Sequence, residues 1–375
     1  MSGHGPQYRY AIEVYKRDPA EHLGSVPVAQ DFGPALEWAN FEAARKDPGR
    51  PVVLDAEQGE IEPRWDAKLG QPYLSGLRAI IAPDDRPATV LDLPLTYFNG
   101  LAKAASVGLV KAGKLQVGEV FAYLVCAYPA GEQSSAAGQS HQTTPAFSVR
   151  PAAVELAVGR RPLGELLARS TPQGPNDDGQ MPVFIPRQVL DETISLMGLA
   201  GAMETGGILI GRLHRDGDLF LEVTAQIPAE EAQQELTRLT FNRETWTATD
   251  RAISLRGKGE MYVGWWHTHP SGHWCEKCPA ETRRQCKIAG KLSGGFFSAH
   301  DVALHQAVFP RAYSVALVIS DGCQEGAADG PAWWLYGWRY GMVLPRDFYV
   351  LGAAGSPGGA AAPVQQRGET DVANL

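Results

Sequence analysis

The segment that most restricts how this chain can fold is aromatic and apolar and ends in two histidines and a proline: Met261-Tyr-Val-Gly-Trp-Trp-His267-Thr-His269-Pro270. Such a run reads as a buried strand. Residues i and i+2 of a strand point to the same face, so His267 and His269 stand side by side. Pro270 has no N–H for a ladder and ends the strand. Two adjacent imidazoles can share a metal, or their pairing can be incidental to the strand.

Other residues give that pair a chemical context. Upstream lies Glu204, in Glu204-Thr-Gly-Gly-Ile-Leu-Ile-Gly211, and downstream lies Ser298-Ala-His-Asp301. Two imidazoles and one carboxylate leave a fourth position for water on a catalytic zinc. The metal would lower the pKa of that water and polarise a carbonyl, and a spare glutamate could carry the proton to the leaving amine. Each piece also has a plainer reading. Ser298-x-x-Asp301 has the spacing of a capping box at the start of a helix, which is compatible with ligation because a cap would hold Asp301 rigidly. Glu204 alone could be an ordinary charged residue before a strand.

Taken together and in this order, Glu204, His267-Thr-His269-Pro270 and Ser298-x-x-Asp301 resemble the JAMM motif of the JAB/MPN metalloproteases. The resemblance covers residues 183–350. It implies an α/β fold with a mixed sheet sandwiched by helices. It also implies a zinc ion on His267, His269 and Asp301, with Glu204 as general acid/base and Ser298 donating to the oxyanion. Members are zinc peptidases or isopeptidases, many acting on ubiquitin and ubiquitin-like proteins, here through a groove that takes a flexible C-terminal tail as an added strand. The resemblance points to the bacterial branch, to precursor processing or deconjugation within a conjugation or defence system, and to E1-like or E2-like proteins as partners. Two alternatives stay open. One is a non-catalytic MPN scaffold, although scaffold members lack parts of the ligand set. The other is a DNA-associated JAB-like protein, since Ser271-Gly272 follows Pro270.

The chain departs from the family pattern between the proline and the serine, which the family keeps close together. Here residues 271–297 intervene and hold three of the five cysteines, Cys275, Cys278 and Cys286, with His273 two residues before the first. Three thiolates and an imidazole could close a second, structural zinc site, and the insertion has few large apolar residues that could order it otherwise. A mobile loop with free thiols, a redox-sensitive pair, or a cleft-lining His273 are the competing readings.

The rest of the chain sets broader bounds. A formal charge of −8 does not suit general nucleic-acid binding. No apolar run reaches membrane-spanning length, and the first residues lack the pattern of a signal peptide. The cysteine usage fits a reducing cytoplasm. The expected layout is a disordered start (1–7), an α+β N-terminal domain of unreadable role (8–128), a linker (129–146) and a bridging segment (147–180) with a polar break at 171–180. A JAB/MPN-like domain (181–351) and a disordered tail (352–375) follow. Within the catalytic domain we expect a helix from Pro186 to Leu199 with Pro186 at its first position, a hairpin turning at Asp216-Gly217, a helix over 243–258, and further strands at 313–320 and 332–340.

Overall fold

The structure, a computed structural model, describes residues 8–17, 21–28, 31–54, 59–82, 87–129, 154–174, 179–229, 233–235, 238–270, 296–321 and 332–352. The expected start (1–7), linker (129–146), insertion (271–297) and tail (352–375) lie outside the described residues apart from their end positions. The chain divides into two compact units. Among the described residues, one takes those up to 43 and 53–155, and the other takes 44–52 and 156–352.

In the first unit, β1 (Tyr8–Lys16) pairs antiparallel with β2 (Glu21–Val28) and with β7 (Phe121–Pro129). Tyr10, Ile12 and Val14 alternate into the core, as a half-buried strand requires. A second antiparallel sheet holds β4 (Glu60–Trp65), β5 (Leu74–Ile81) and β6 (Thr89–Pro94). Helix α1 (Gly33–Lys46) starts in this unit, and α2 (Asn99–Lys111) follows a 3-10 turn at Leu95–Phe98. Cys126 is buried in β7, where burial pushes its thiol pKa up; that is the setting of a packing residue.

The second unit is built on a ten-stranded mixed sheet. β12 (Gly206–Asp216) and β13 (Asp218–Pro228) form its central hairpin, turning at Gly217, whose φ of 76° suits glycine. β16 (Met261–His269) pairs antiparallel with β12 and parallel with β17 (Val315–Ser320). β18 (Ala332–Arg339) and β19 (Met342–Arg346) continue on that side. On the other side β13 pairs parallel with β11 (Val183–Pro186), which pairs parallel with β20 (Phe348–Leu351). Helices α4 (Arg187–Ala200), α5 (Arg243–Arg256) and α6 (Ala299–Val308) pack on this sheet. Trp246 and Ile253 of α5 and Leu304 of α6 close over Ile208, Ile210, Trp265, Ala316 and Val318.

Several boundaries differ from the sequence expectation for local reasons. Pro186 is the N-cap of α4, with ψ 139°, because it is still paired to Leu351 in the sheet. α5 stops at Arg256 because Gly257 turns left-handed at φ 59°. The expected bridge and polar break supply sheet: β9 (Gly159–Arg160) pairs with His214–Arg215, and β10 (Ser170–Gln173) pairs with β20. The short helix α3 (Leu163–Leu167) lies between them. β10 stands at the edge of the sheet, where its Pro172 is tolerated.

Candidate metal centre

Strand β16 carries the two histidines, and a glycine sets their orientation. Gly264 sits at φ +154°, and a Cβ there would lie 1.9 Å from the Val315 carbonyl oxygen. Only a residue without a side chain lets β16 run this close to β17. The β12–β16 register shifts at this point, and beyond it Trp265, His267 and His269 alternate onto one face. Gly206 is the register partner of His267, so the residues just before β12, Glu204 and Thr205, arrive beside Thr268 and His269. The N-terminus of α6 supplies the rest. Ser298 Oγ accepts the Asp301 N–H at 3.1 Å, and Asp301 Oδ2 accepts the Ser298 N–H at 2.8 Å. This is the reciprocal capping box, and it fixes Asp301 with its Oδ2 3.6 Å from His267 Nε2.

His267 Nε2 lies 3.0 Å from His269 Nε2, and Glu204 Oε1 lies 4.0 Å from His269 Nε2. Ligand atoms of His267, His269 and Asp301 fall within 4.8 Å of one another, and all three residues are buried. The donor set fits zinc. A tetrahedral ion with bonds of about 2.0–2.1 Å sets neighbouring donors about 3.3 Å apart, between the two edges measured here. The outer ring atom Nδ1 of His267 has no hydrogen-bond partner among the described residues.

The electrostatics separate the residues. Burial, reinforced by His267, pulls the pKa of His269 down to about 3, so its imidazole is neutral, the form in which a histidine ligates a metal. Burial opposes ionisation of Asp301, but His267 and the Ser298 bonds outweigh it and hold its carboxyl below the usual range. Glu204 goes the other way. Burial first, then the neighbouring Asp301 charge, push it up to about 8. A cation held by the three ligand residues would favour its carboxylate form.

The structure brings Glu204, His267, His269, Ser298 and Asp301 to one place. His273, Cys275, Cys278 and Cys286 lie outside the described residues. It also adds residues the sequence reading did not single out. The Trp265 indole stacks on the His267 ring, with centroids 4.6 Å apart and 13° between planes, and its N–H donates to His305 Nδ1 at 3.1 Å. His305 follows Asp301 by one helical turn and is fully buried, and burial lowers its pKa to about 3. It therefore ties the element carrying Asp301 to the one carrying His267. The i+2 alternation of β16 and the i+4 spacing on α6 were the available signals. Phe296 stacks on the His269 ring at 4.5 Å; it stands at the end of the insertion, and no spacing pointed to it.

Comparison with known proteins adds a family. Residues 181–289 match the family described as JAB1/Mov34/MPN/PAD-1 ubiquitin protease. That span includes Glu204, His267 and His269 and stops before Ser298 and Asp301. Among solved structures the chain is similar to the solution structure of protein DSY2949 from Desulfitobacterium hafniense, at 18% identity and a TM-score of 0.32, covering 45% of this chain and 92% of that one. No curated protein matches.

Proposed function

Because residues 181–289 belong to a JAB/MPN domain, whose relatives are peptidase-like, isopeptidase-like or scaffolding, we propose that this chain is a zinc-dependent peptidase or isopeptidase. It cleaves after the C-terminal tail of a ubiquitin-like protein, as precursor processing, deconjugation or both. The observation that carries the reading is the buried cluster of His267, His269 and Asp301 with Glu204 beside it. A scaffold has no use for four buried titratable groups that share one site, since burying such groups costs free energy that only partners or chemistry offset.

His267, His269 and Asp301 would hold the zinc, which when bound supplies a Lewis acid and an activated water. Glu204 would hold and move the proton, accepting it at its carboxylate from the attacking water and giving it to the leaving amine. Its place 4.0 Å from His269 Nε2 suits a group that must both accept and give back a proton at this site. Ser298 accepts the Asp301 N–H through an oxygen lone pair, which leaves its own O–H to donate to the oxyanion. The tail would enter as an added strand on an edge of the sheet, where main-chain pairing gives affinity without demanding a particular sequence. A setting in the bacterial cytoplasm, beside E1-like or E2-like proteins, is part of the same proposal. The test is Glu204→Gln, which should keep stoichiometric zinc while kcat falls about 10²–10⁴-fold. Unchanged cleavage of a tail peptide by that variant overturns the assignment.

The insertion belongs to the proposal as a second, structural zinc site on Cys275, Cys278, Cys286 and His273. Metal analysis should find two zinc ions per chain, and Cys275→Ser with Cys278→Ser should leave one. A wild-type stoichiometry of one, with the three thiols freely reactive in the native protein, refutes the second site.

A further inference from the structure

Thr268 stands between the two histidines and is fully buried. Strand alternation turns its side chain to the face opposite the imidazoles. It holds Thr205 instead, and does so twice. Its backbone N–H donates to the Thr205 carbonyl at 2.8 Å, and its Oγ1 accepts the Thr205 N–H at 3.0 Å. That N–H belongs to the peptide group joining Thr205 to Glu204. β12 begins only at Gly206, so Glu204 itself lies before the strand, just after the turn that follows α4, where Met203 is exposed.

We propose that Thr268 is a positioning residue for Glu204. Its hydroxyl fixes the Glu204–Thr205 peptide and thereby the direction in which the Glu204 side chain leaves the backbone, toward His269 Nε2 at 4.0 Å. The same strand thus carries the candidate ligands on one face and the clamp for the candidate proton carrier on the other. A small movement of β16 would take Glu204 with it and preserve the distance on which proton transfer depends. The role rests on the reading of Glu204 as the proton carrier.

Three versions of the full-length protein test it: wild type, Thr268→Val, which keeps the shape and removes the acceptor, and Thr268→Ser, which restores the acceptor. Zinc content, kcat and KM are measured on a panel of fluorogenic peptide amides ending in small residues, below the unfolding transition of all three. Hydrogen exchange at the Thr205 amide is measured in parallel. Thr268→Val should keep its zinc and its KM, lose about ten- to a hundredfold in kcat, and exchange the Thr205 amide faster. Thr268→Ser should recover most of both. A residue that only satisfies a buried N–H would lower the melting temperature of the valine variant and leave kcat of the folded enzyme unchanged, and that result overturns the proposal. An active wild type with equal kcat in all three proteins refutes the role alone. A zinc-loaded wild type that is inert on the whole panel refutes the hydrolase reading and the role with it.

Discussion

Glu204 and Glu222 are two glutamates of one sheet domain, nearly equal in burial at 5% and 7% exposure, and their surroundings drive them in opposite directions. Glu222, on β13, is bonded by the Arg161 guanidinium and by His214 Nε2 at 2.9 Å. Burial alone would raise its pKa, but the His214 and Arg161 bonds bring it down to about 2. Glu204 has an anion for a neighbour, and its pKa rises to about 8. A buried carboxylate with a built-in cation holds the fold together, because its charge is already compensated. A buried carboxylate set beside another acid and two histidines is poised for a proton or a metal. The same residue type at the same depth therefore separates the clasp of this domain from its candidate site.

The comparison is sharpest where the two glutamates are exchanged for glutamine. Glu204→Gln carries the largest expected effect, the loss of about 10²–10⁴-fold in kcat. With zinc removed, its thermal stability should not fall and should rise slightly at neutral pH, since the change removes a desolvated acid that then has no cationic partner. Glu222→Gln should do the reverse, leaving kcat intact and lowering stability. Thermal melts beside kinetics on both variants check this. A Glu204→Gln protein that is both inactive and strongly destabilised would place Glu204 with the clasp and break the distinction.

How far each region could be read from sequence follows from how local its signals are. The site was legible because each part rests on short-range rules: i+2 alternation put His267 and His269 together, and a capping box held Asp301. The hairpin at Gly217 and the helices α4 and α5 were legible for the same reason. The clasp was not. Arg161 lies on a segment expected to be a bridge, and only the pairing of β9 with β12, distant in sequence, brings it to Glu222. β10 and β11, at four residues each with a proline in both, are too short to show a period. The meander of β4, β5 and β6 went unread because its alternation is broken. β5 buries the adjacent pair Gly76 and Leu77, and the β4 register shifts between Arg64 and Trp65.

The clasp also decides where the second unit can be cut. A fragment starting at Met181, the natural choice from sequence, loses β9, α3, β10 and Arg161. It leaves Glu222 with His214 but without the Arg161 guanidinium, which costs at most about 2 kcal/mol because that guanidinium is partly exposed. A fragment starting at Leu156 keeps them. We expect the longer fragment to be the more stable in denaturant titration and to hydrolyse a short tail peptide as the full chain does. Against an intact ubiquitin-like substrate it should show a higher KM, if the first unit recruits the substrate body and raises its effective concentration. Equal stability of the two fragments would show that the clasp contributes little. An unchanged KM on the intact substrate would remove the recruitment role.

The smallest effect is the pH dependence of the clasp, and its sign follows from Glu222. A glutamate in the unfolded chain titrates near about 4.3, and in the fold this one is lowered to about 2. The folded state therefore binds fewer protons between those values, so the stabilisation is complete above the unfolded pKa and disappears as the pH falls through the window toward 2. Its full size is about 2 kcal/mol, less than the shift alone would give, because the Arg161 side chain is 33% exposed and solvent screens the pair. Glu222→Gln should accordingly lower stability at pH 7 by about that amount and flatten the acid limb of the stability curve between pH 5 and 2. Arg161→Met, which removes the cation and keeps much of the side-chain length, should flatten the same limb while leaving zinc content unchanged. If the acid limbs of both variants run parallel to the wild type, the Arg161–Glu222 pair does not set this pH dependence, and the contrast with Glu204 would rest on geometry alone.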